Sequence, residues 1–132
     1  MNPRAVGAVI YALDARKLAR FYADVLDFDR EEVDEDFVRL VGPQSELVIV
    51  QAPAEWTDSV VIESPPALRE ETAIKFFLQV RSIPEARSQA ARLGGGIYDE
   101  DREWMMGSFL VVDGFDPEGN IFQLREWVGV EV

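Results

Sequence analysis

Lys75 interrupts the apolar run Ile74-Lys75-Phe76-Phe77-Leu78, and a cation in that setting has several chemical uses. If it is buried, the ammonium loses hydration and its pKa falls. It can then hold a ligand carboxylate, act as a base, or form a Schiff base. The alternative is a lysine whose stem packs while its head reaches water or a carboxylate. Gln79 and Gln123 lie in segments rich in strand formers. Each either orients a ligand by hydrogen bonding or satisfies its neighbour and the backbone. Tyr11 either presents its hydroxyl to a ligand or is a core ring with a satisfied tip. Phe77 supplies an aromatic wall. Trp104, followed by Met105 and Met106, supplies an adaptable apolar surface, either a pocket edge or a plug over the core.

Missing residue types narrow the chemistry further. The 132 residues contain no histidine and no cysteine. Ser-His-Asp and Cys-His arrangements are therefore excluded, as are disulfides and thiolate metal ligation. No catalytic residue and no cofactor is assigned. A chain without cysteine is compatible with a reducing compartment, and the expected location is the cytoplasm. Met1 to Val6 shows no basic stretch leading into a long apolar run, so no signal peptide is expected. No apolar run approaches the ~20 residues of a membrane helix. The net charge of −12 disfavours nucleic acid and anionic membrane surfaces as partners. It favours a cationic ligand, or else confers only solubility. The run Asp99, Glu100, Asp101 and Glu103 reads as a solvated loop.

The elements that must position these residues repeat a plan. The segment 7–13 reads as a strand, and Asp14 is a good N-cap. Leu18, Phe21, Tyr22, Val25 and Leu26 then recur at helical spacing. The segment 74–80 reads as a second such strand. Ser82 and Glu85 form a capping-box pattern, and Gly94-Gly95-Gly96 ends the helix. Strands are expected at 36–41 and 46–51 after the first helix, with a short one near 29–33 before them. After the second helix they are expected at 96–99, 107–112 and 121–127. The fold class is therefore α+β, with two βαβββ modules at about 4–52 and 74–128 in one domain. The connector 53–73 carries Pro53, Pro65 and Pro66, with a short strand at 60–62. It is a crossover or a flap bearing Trp56. Alternation places Gly7, Val9, Tyr11, Lys75, Phe77, Gln79, Ile121, Gln123 and Arg125 on one side of their strands. It leaves open which side of the strand 36–41 faces the same way.

Three stretches carry a family resemblance. Phe21-Tyr22 followed by Leu26-Asp27-Phe28, Ala90-Ala91-Arg92-Leu93-Gly94-Gly95, and Asp116-Pro117-Glu118-Gly119-Asn120 occur in order along the chain. Together they resemble the glyoxalase, bleomycin-resistance and dioxygenase superfamily, the vicinal oxygen chelate proteins. The resemblance implies an incomplete, barrel-like cupped sheet around one pocket, and pairing as a homodimer. It also implies metal ligands at four strand positions, which transfer to Gly7, Ile49, Lys75 and Gln123. Gly7 and Ile49 offer no donor, Lys75 repels a divalent ion, and one neutral amide does not hold zinc or iron. No family-type metal is expected.

The expected function is a metal-free small-molecule-binding protein similar to the bleomycin-resistance branch. Its ligand, cationic or aromatic, would be held in the cupped sheet by Lys75, Gln123, Tyr11, Phe77, Gln79 and Trp104. Two alternatives are an enzyme of lyase or isomerase type using Lys75 without a metal, and a structural or regulatory subunit with a filled pocket.

Overall fold

The computed structural model describes residues 6–26 and 28–129. Strand β1 (Val6–Ala12) ends where Asp14, in extended backbone, accepts the Lys17 N–H on its side chain and starts α1 (Ala15–Val25). The strands β2 (Arg30–Val33), β3 (Phe37–Val41) and β4 (Ser45–Gln51) complete a four-stranded sheet in the order β1-β4-β3-β2. Only the β1–β4 pairing is parallel. After a short helix α2 (Ala54–Thr57) and the rest of the connector, the plan recurs. It comprises β5 (Phe77–Val80), α3 (Ile83–Arg92), β6 (Gly96–Ile97), β7 (Trp104–Met106), β8 (Phe109–Phe115) and β9 (Ile121–Trp127). The second sheet runs β5-β9-β8-β6, with β7 also paired to β8, and again the first strand is parallel to the last.

The repeat extends to side-chain detail. The last strand of each sheet sends one polar side chain to the start of its helix. Gln51 Oε1 accepts the Ala15 N–H at 3.0 Å, and Glu126 Oε1 accepts the Ile83 N–H at 2.6 Å. Both satisfy first-turn donors that a helix cannot satisfy itself, and the carboxylate also suits the positive end of the helix dipole.

Three expected elements differ from those observed. Trp104–Met106 is a strand rather than a loop, hairpinned through Gly107-Ser108 onto β8, which runs on to Phe115. Strand β5 begins only at Phe77, so Lys75 and Phe76 precede it, although the Phe76 carbonyl still accepts from Gln123 N–H at 3.0 Å. The segment 60–62 forms no strand. The connector instead anchors further on. Arg69 pairs with Asn120 in a parallel bridge, and its N–H donates to the Gly119 carbonyl at 2.9 Å. Gly119 has φ +85°, and a Cβ there would lie 2.1 Å from the Ala67 carbonyl oxygen. Only glycine permits both the turn and this close approach.

The core lies between the two sheets' inner faces and the helices. Leu18, Phe21, Tyr22 and Val25 form the buried stripe of α1, and Ile83, Ala86 and Ala90 form that of α3. The small residues on α3 let the two helices pack against each other. Phe122 of β9 meets Phe21 and Tyr22 of α1 edge-on, with ring centroids 6.1 and 5.7 Å apart. The two halves thus share one core.

A polar latch joins the same halves. Asp116 is buried and accepts from the Tyr22 hydroxyl at 2.6 Å and from Asn120 Nδ2 at 2.9 Å. Its other oxygen accepts the Glu118 and Asn120 N–H groups. The Glu118 carboxylate reaches across to the N–H groups of Leu13 and Asp14, at 2.8 and 3.0 Å. The Asp-Pro-Glu-Gly-Asn stretch is therefore a clasp as well as a turn. Because both bonds are to a charged acceptor, Glu118→Ala is expected to cost about 2–3 kcal/mol. A shift of the urea midpoint at constant slope would measure it; a loss under about 0.5 kcal/mol would mean water replaces the carboxylate at no cost.

Candidate functional site

Directly paired residues in a sheet share a face. In the second sheet Leu78, Val80, Val112, Phe122 and Leu124 turn towards the helices. Phe77 opposite Gln123, Gln79 opposite Arg125, and Trp104 opposite Val111 therefore occupy the helix-free face. Lys75 reaches the same face just before β5, where its ammonium donates to Asp113 Oδ2 at 2.6 Å. Five of the six sequence-selected residues, Lys75, Phe77, Gln79, Trp104 and Gln123, thus gather on one surface. Phe77 is 52% and Trp104 47% exposed, so these rings wall the face rather than plug it.

Tyr11 lies apart from them. It is on the corresponding face of the first sheet, with the Trp56 ring of α2 at 5.7 Å. It lines a cleft of about 290 Å³ at the seam between the sheets, with Val9, Arg69, Ile74 and Ile121. The connector supplies part of that wall, which gives the segment around Trp56 a place beside the cleft. A wider groove of about 1360 Å³ runs from Pro43 to the start of α3 and shares Gln79 and Trp127 with the second sheet.

The electrostatics of the two open faces differ. On the first sheet Val38 and Leu40 are buried, so Phe37, Arg39 and Val41 turn outward. Arg39 is held between Glu32 and Glu46, with its Nη2 2.7 Å from Glu46. The hydrogen bond from Arg39 keeps the Glu46 carboxyl below its usual value, against desolvation. On the second sheet, Lys75 is neutralised by Asp113 and its side chain is 42% exposed. The burial that would make it a neutral amine for base or Schiff-base chemistry is not met. Glu103, expected in a solvated run, is largely covered and pairs with Arg87 at 2.6 Å.

The four metal positions can now be fixed by register. Val9 pairs with Val48 as Phe77 pairs with Gln123, and both first-strand residues precede their helix cap by the same interval. The counterpart of Gln123 is therefore Val48, not Ile49. Ile49 is 0% exposed and faces the helices. Matching Pro43 to Pro117 misplaces it because Gln123 lies six residues beyond Pro117, whereas Val48 lies five beyond Pro43. The donor set is unchanged: Gly7, Val48, Lys75 and Gln123 provide one neutral amide oxygen. Gly7 also has no room for a ligating side chain, since a Cβ would lie 2.1 Å from the Glu46 carbonyl oxygen. Among the described residues no group of three or more acidic side chains gathers to compensate. These residues do not fit a family-type metal.

Sequence reading placed Arg125 on this face but gave it no role. Its guanidinium carbon lies 3.5 Å from the centroid of the Phe77 ring, and its Nε donates to Gln123 Oε1 at 2.9 Å. The signal was available: arginine two residues beyond Gln123 in the same strand must share its face.

Repeated strand–helix–strands units with parallel outer pairing, a shared helical core and an open strand face define the glyoxalase/bleomycin resistance fold. Solved structures agree. A glyoxalase/bleomycin resistance protein from Albidiferax ferrireducens T118 superposes with TM-score 0.66 at 13% identity, over 91% of this chain and 95% of that one. The genomically encoded fosfomycin resistance protein of Listeria monocytogenes gives 0.60 at 16%, over 98% and 94%. The bleomycin-binding protein of bleomycin-producing Streptomyces verticillus, solved with copper(II)-bleomycin, gives 0.56 at 15%, over 96% and 98%. The sequence profile of the Glyoxalase-like domain matches residues 7–125, and the chain belongs to that family. No curated protein matches the sequence. Among the described residues no helix is long and apolar enough to cross a membrane.

Proposed function

We propose that this protein binds a small aromatic molecule on the helix-free face of its second sheet, without a family metal. One observation carries the reading: half-exposed Phe77 and Trp104 lie on the same face as Gln79, Gln123 and Lys75. Apolar walls with a few polar groups between them are the usual make-up of a ligand site. The donor set at the four strand positions supports binding without metal, and the exposure of Lys75 and its pairing with Asp113 favour binding over lysine chemistry. The bleomycin-binding neighbour lends the reading precedent only at the level of fold. The reading includes a homodimer, as the family resemblance implies, which sedimentation equilibrium checks, and a cytoplasmic location, with which a chain free of cysteine is compatible.

Titration of metal-stripped protein with 1-naphthamide, followed by tryptophan fluorescence, tests the proposal. Saturable binding with unchanged ligand mass is expected, weakened about tenfold in Trp104→Ala. Binding that appears only after zinc or manganese is added would overturn the metal-free reading. Equal affinity in Trp104→Ala would move the site off this face.

A further inference from the structure

Two cations on the sheet faces are neutralised by carboxylates of the protein itself. Arg39 is shared by Glu32 and Glu46, and Lys75 holds Asp113. Arg125 differs. Among the described residues its partners are both neutral, the Gln123 amide oxygen and the Phe77 ring. This occurs in a chain of net charge −12, where acidic side chains outnumber basic ones almost two to one. The nearest acidic residue on the face by register is Asp113, opposite Gln123 and therefore diagonal to Arg125. Its carboxylate turns instead to Lys75.

We propose that Arg125 is the anchor for a carboxylate on the ligand, which makes the ligand class of this face an aromatic carboxylate. This rests on the small-molecule reading above and deepens it. The guanidinium is already oriented. Stacking on Phe77 fixes its plane, and the Nε bond to Gln123 fixes its rotation. Both terminal NH2 groups are left without partners among the described residues, and together they form the forked donor edge that carboxylates accept bidentately. The strong hydration that would make a lysine costly to desolvate is weaker for arginine, so a half-buried guanidinium suits this task. The row Trp104–Val111–Arg125–Gln79 then sets the ligand's dimensions. Trp104 lies two strand spacings from Arg125, about 9–10 Å, the length of a fused aromatic ring system with an acid group. Lys75 is a positioning residue in this arrangement, because its pair with Asp113 keeps that carboxylate from occupying Arg125.

Binding of 1-naphthoate, 1-naphthamide and 1-naphthylmethylammonium to wild type, Arg125→Gln, Arg125→Lys and Lys75→Met tests this, with thermal melts verifying that each variant is folded. Wild type is expected to prefer naphthoate over naphthamide by about tenfold or more. Arg125→Gln should bind the two alike, and Arg125→Lys should keep part of the preference. Lys75→Met should weaken naphthoate by freeing Asp113. Equal binding of acid and amide by wild type, with both bound, overturns the carboxylate anchor and leaves the small-molecule reading standing. So does a preference for the ammonium. A preference that survives in Arg125→Gln assigns the acid to another cation. If none of the three binds, both the anchor and the reading fall.

Discussion

Replacing Phe122 by alanine is expected to remove about 3–5 kcal/mol of stability. The ring is fully buried. It stacks on Phe76 at 6.3 Å and meets Phe21 and Tyr22 edge-on. Those partners come from both halves, so the cavity would open at the join, where neither sheet can collapse alone to fill it. Urea unfolding should show a lower midpoint with a single transition. The same exchange at Phe77, 52% exposed on the open face, is expected to cost about 1 kcal/mol or less, mostly its contact with Arg125. A loss under about 1.5 kcal/mol at Phe122, or comparable losses at the two positions, would mean that the halves are not joined through this cluster.

That contrast bears on what the sequence made legible. The helical stripe Leu18, Phe21, Tyr22, Val25 and the strand alternation in β9 follow from periodicity, because burial selects side chains by face. Gln123 and Arg125 could be assigned to one face for the same reason. What periodicity does not encode is pairing across the chain. The Lys75–Asp113 bond spans 38 residues, and it draws the lysine head to a carboxylate on the partly exposed face rather than into the core. Ile49 was displaced by one residue because the two turns differ in length, and one residue reverses the face of every side chain in a strand. The hairpin from Trp104 was hidden by its brevity, since three residues of apolar sequence fit a loop as well as a strand. Glu118 looked like part of a turn, because a carboxylate that caps another element 105 residues away leaves no local pattern.

Asp116→Ala is expected to cost about 3–4 kcal/mol, and Asp116→Asn to reveal how the latch responds to acid. The alanine variant leaves the Tyr22 hydroxyl, the Asn120 amide and two backbone N–H groups without their acceptor. Buried donors left unpaired cost about 1–3 kcal/mol each, offset in part because a buried charge is also removed. Burial raises the Asp116 carboxyl above its usual range, and the hydrogen bonds from Tyr22 and Asn120 pull it down only in part. Burial likewise raises the Tyr22 hydroxyl well above its ordinary value, so it stays a donor throughout. An acid whose pKa is higher folded than unfolded favours the proton in the folded state. The stability it adds is fully present below the ordinary carboxylate value and is lost as pH rises through the raised one. The stability of wild type relative to Asp116→Asn should therefore grow as pH falls from neutral into the carboxylate range. Taking the difference cancels the opposite trend of Glu46, whose carboxyl is held low by Arg39. Paired urea titrations across that range measure it. A difference that stays flat or shrinks on acidification would mean that the four donors, rather than burial, govern Asp116, and that the latch works as a buried anion.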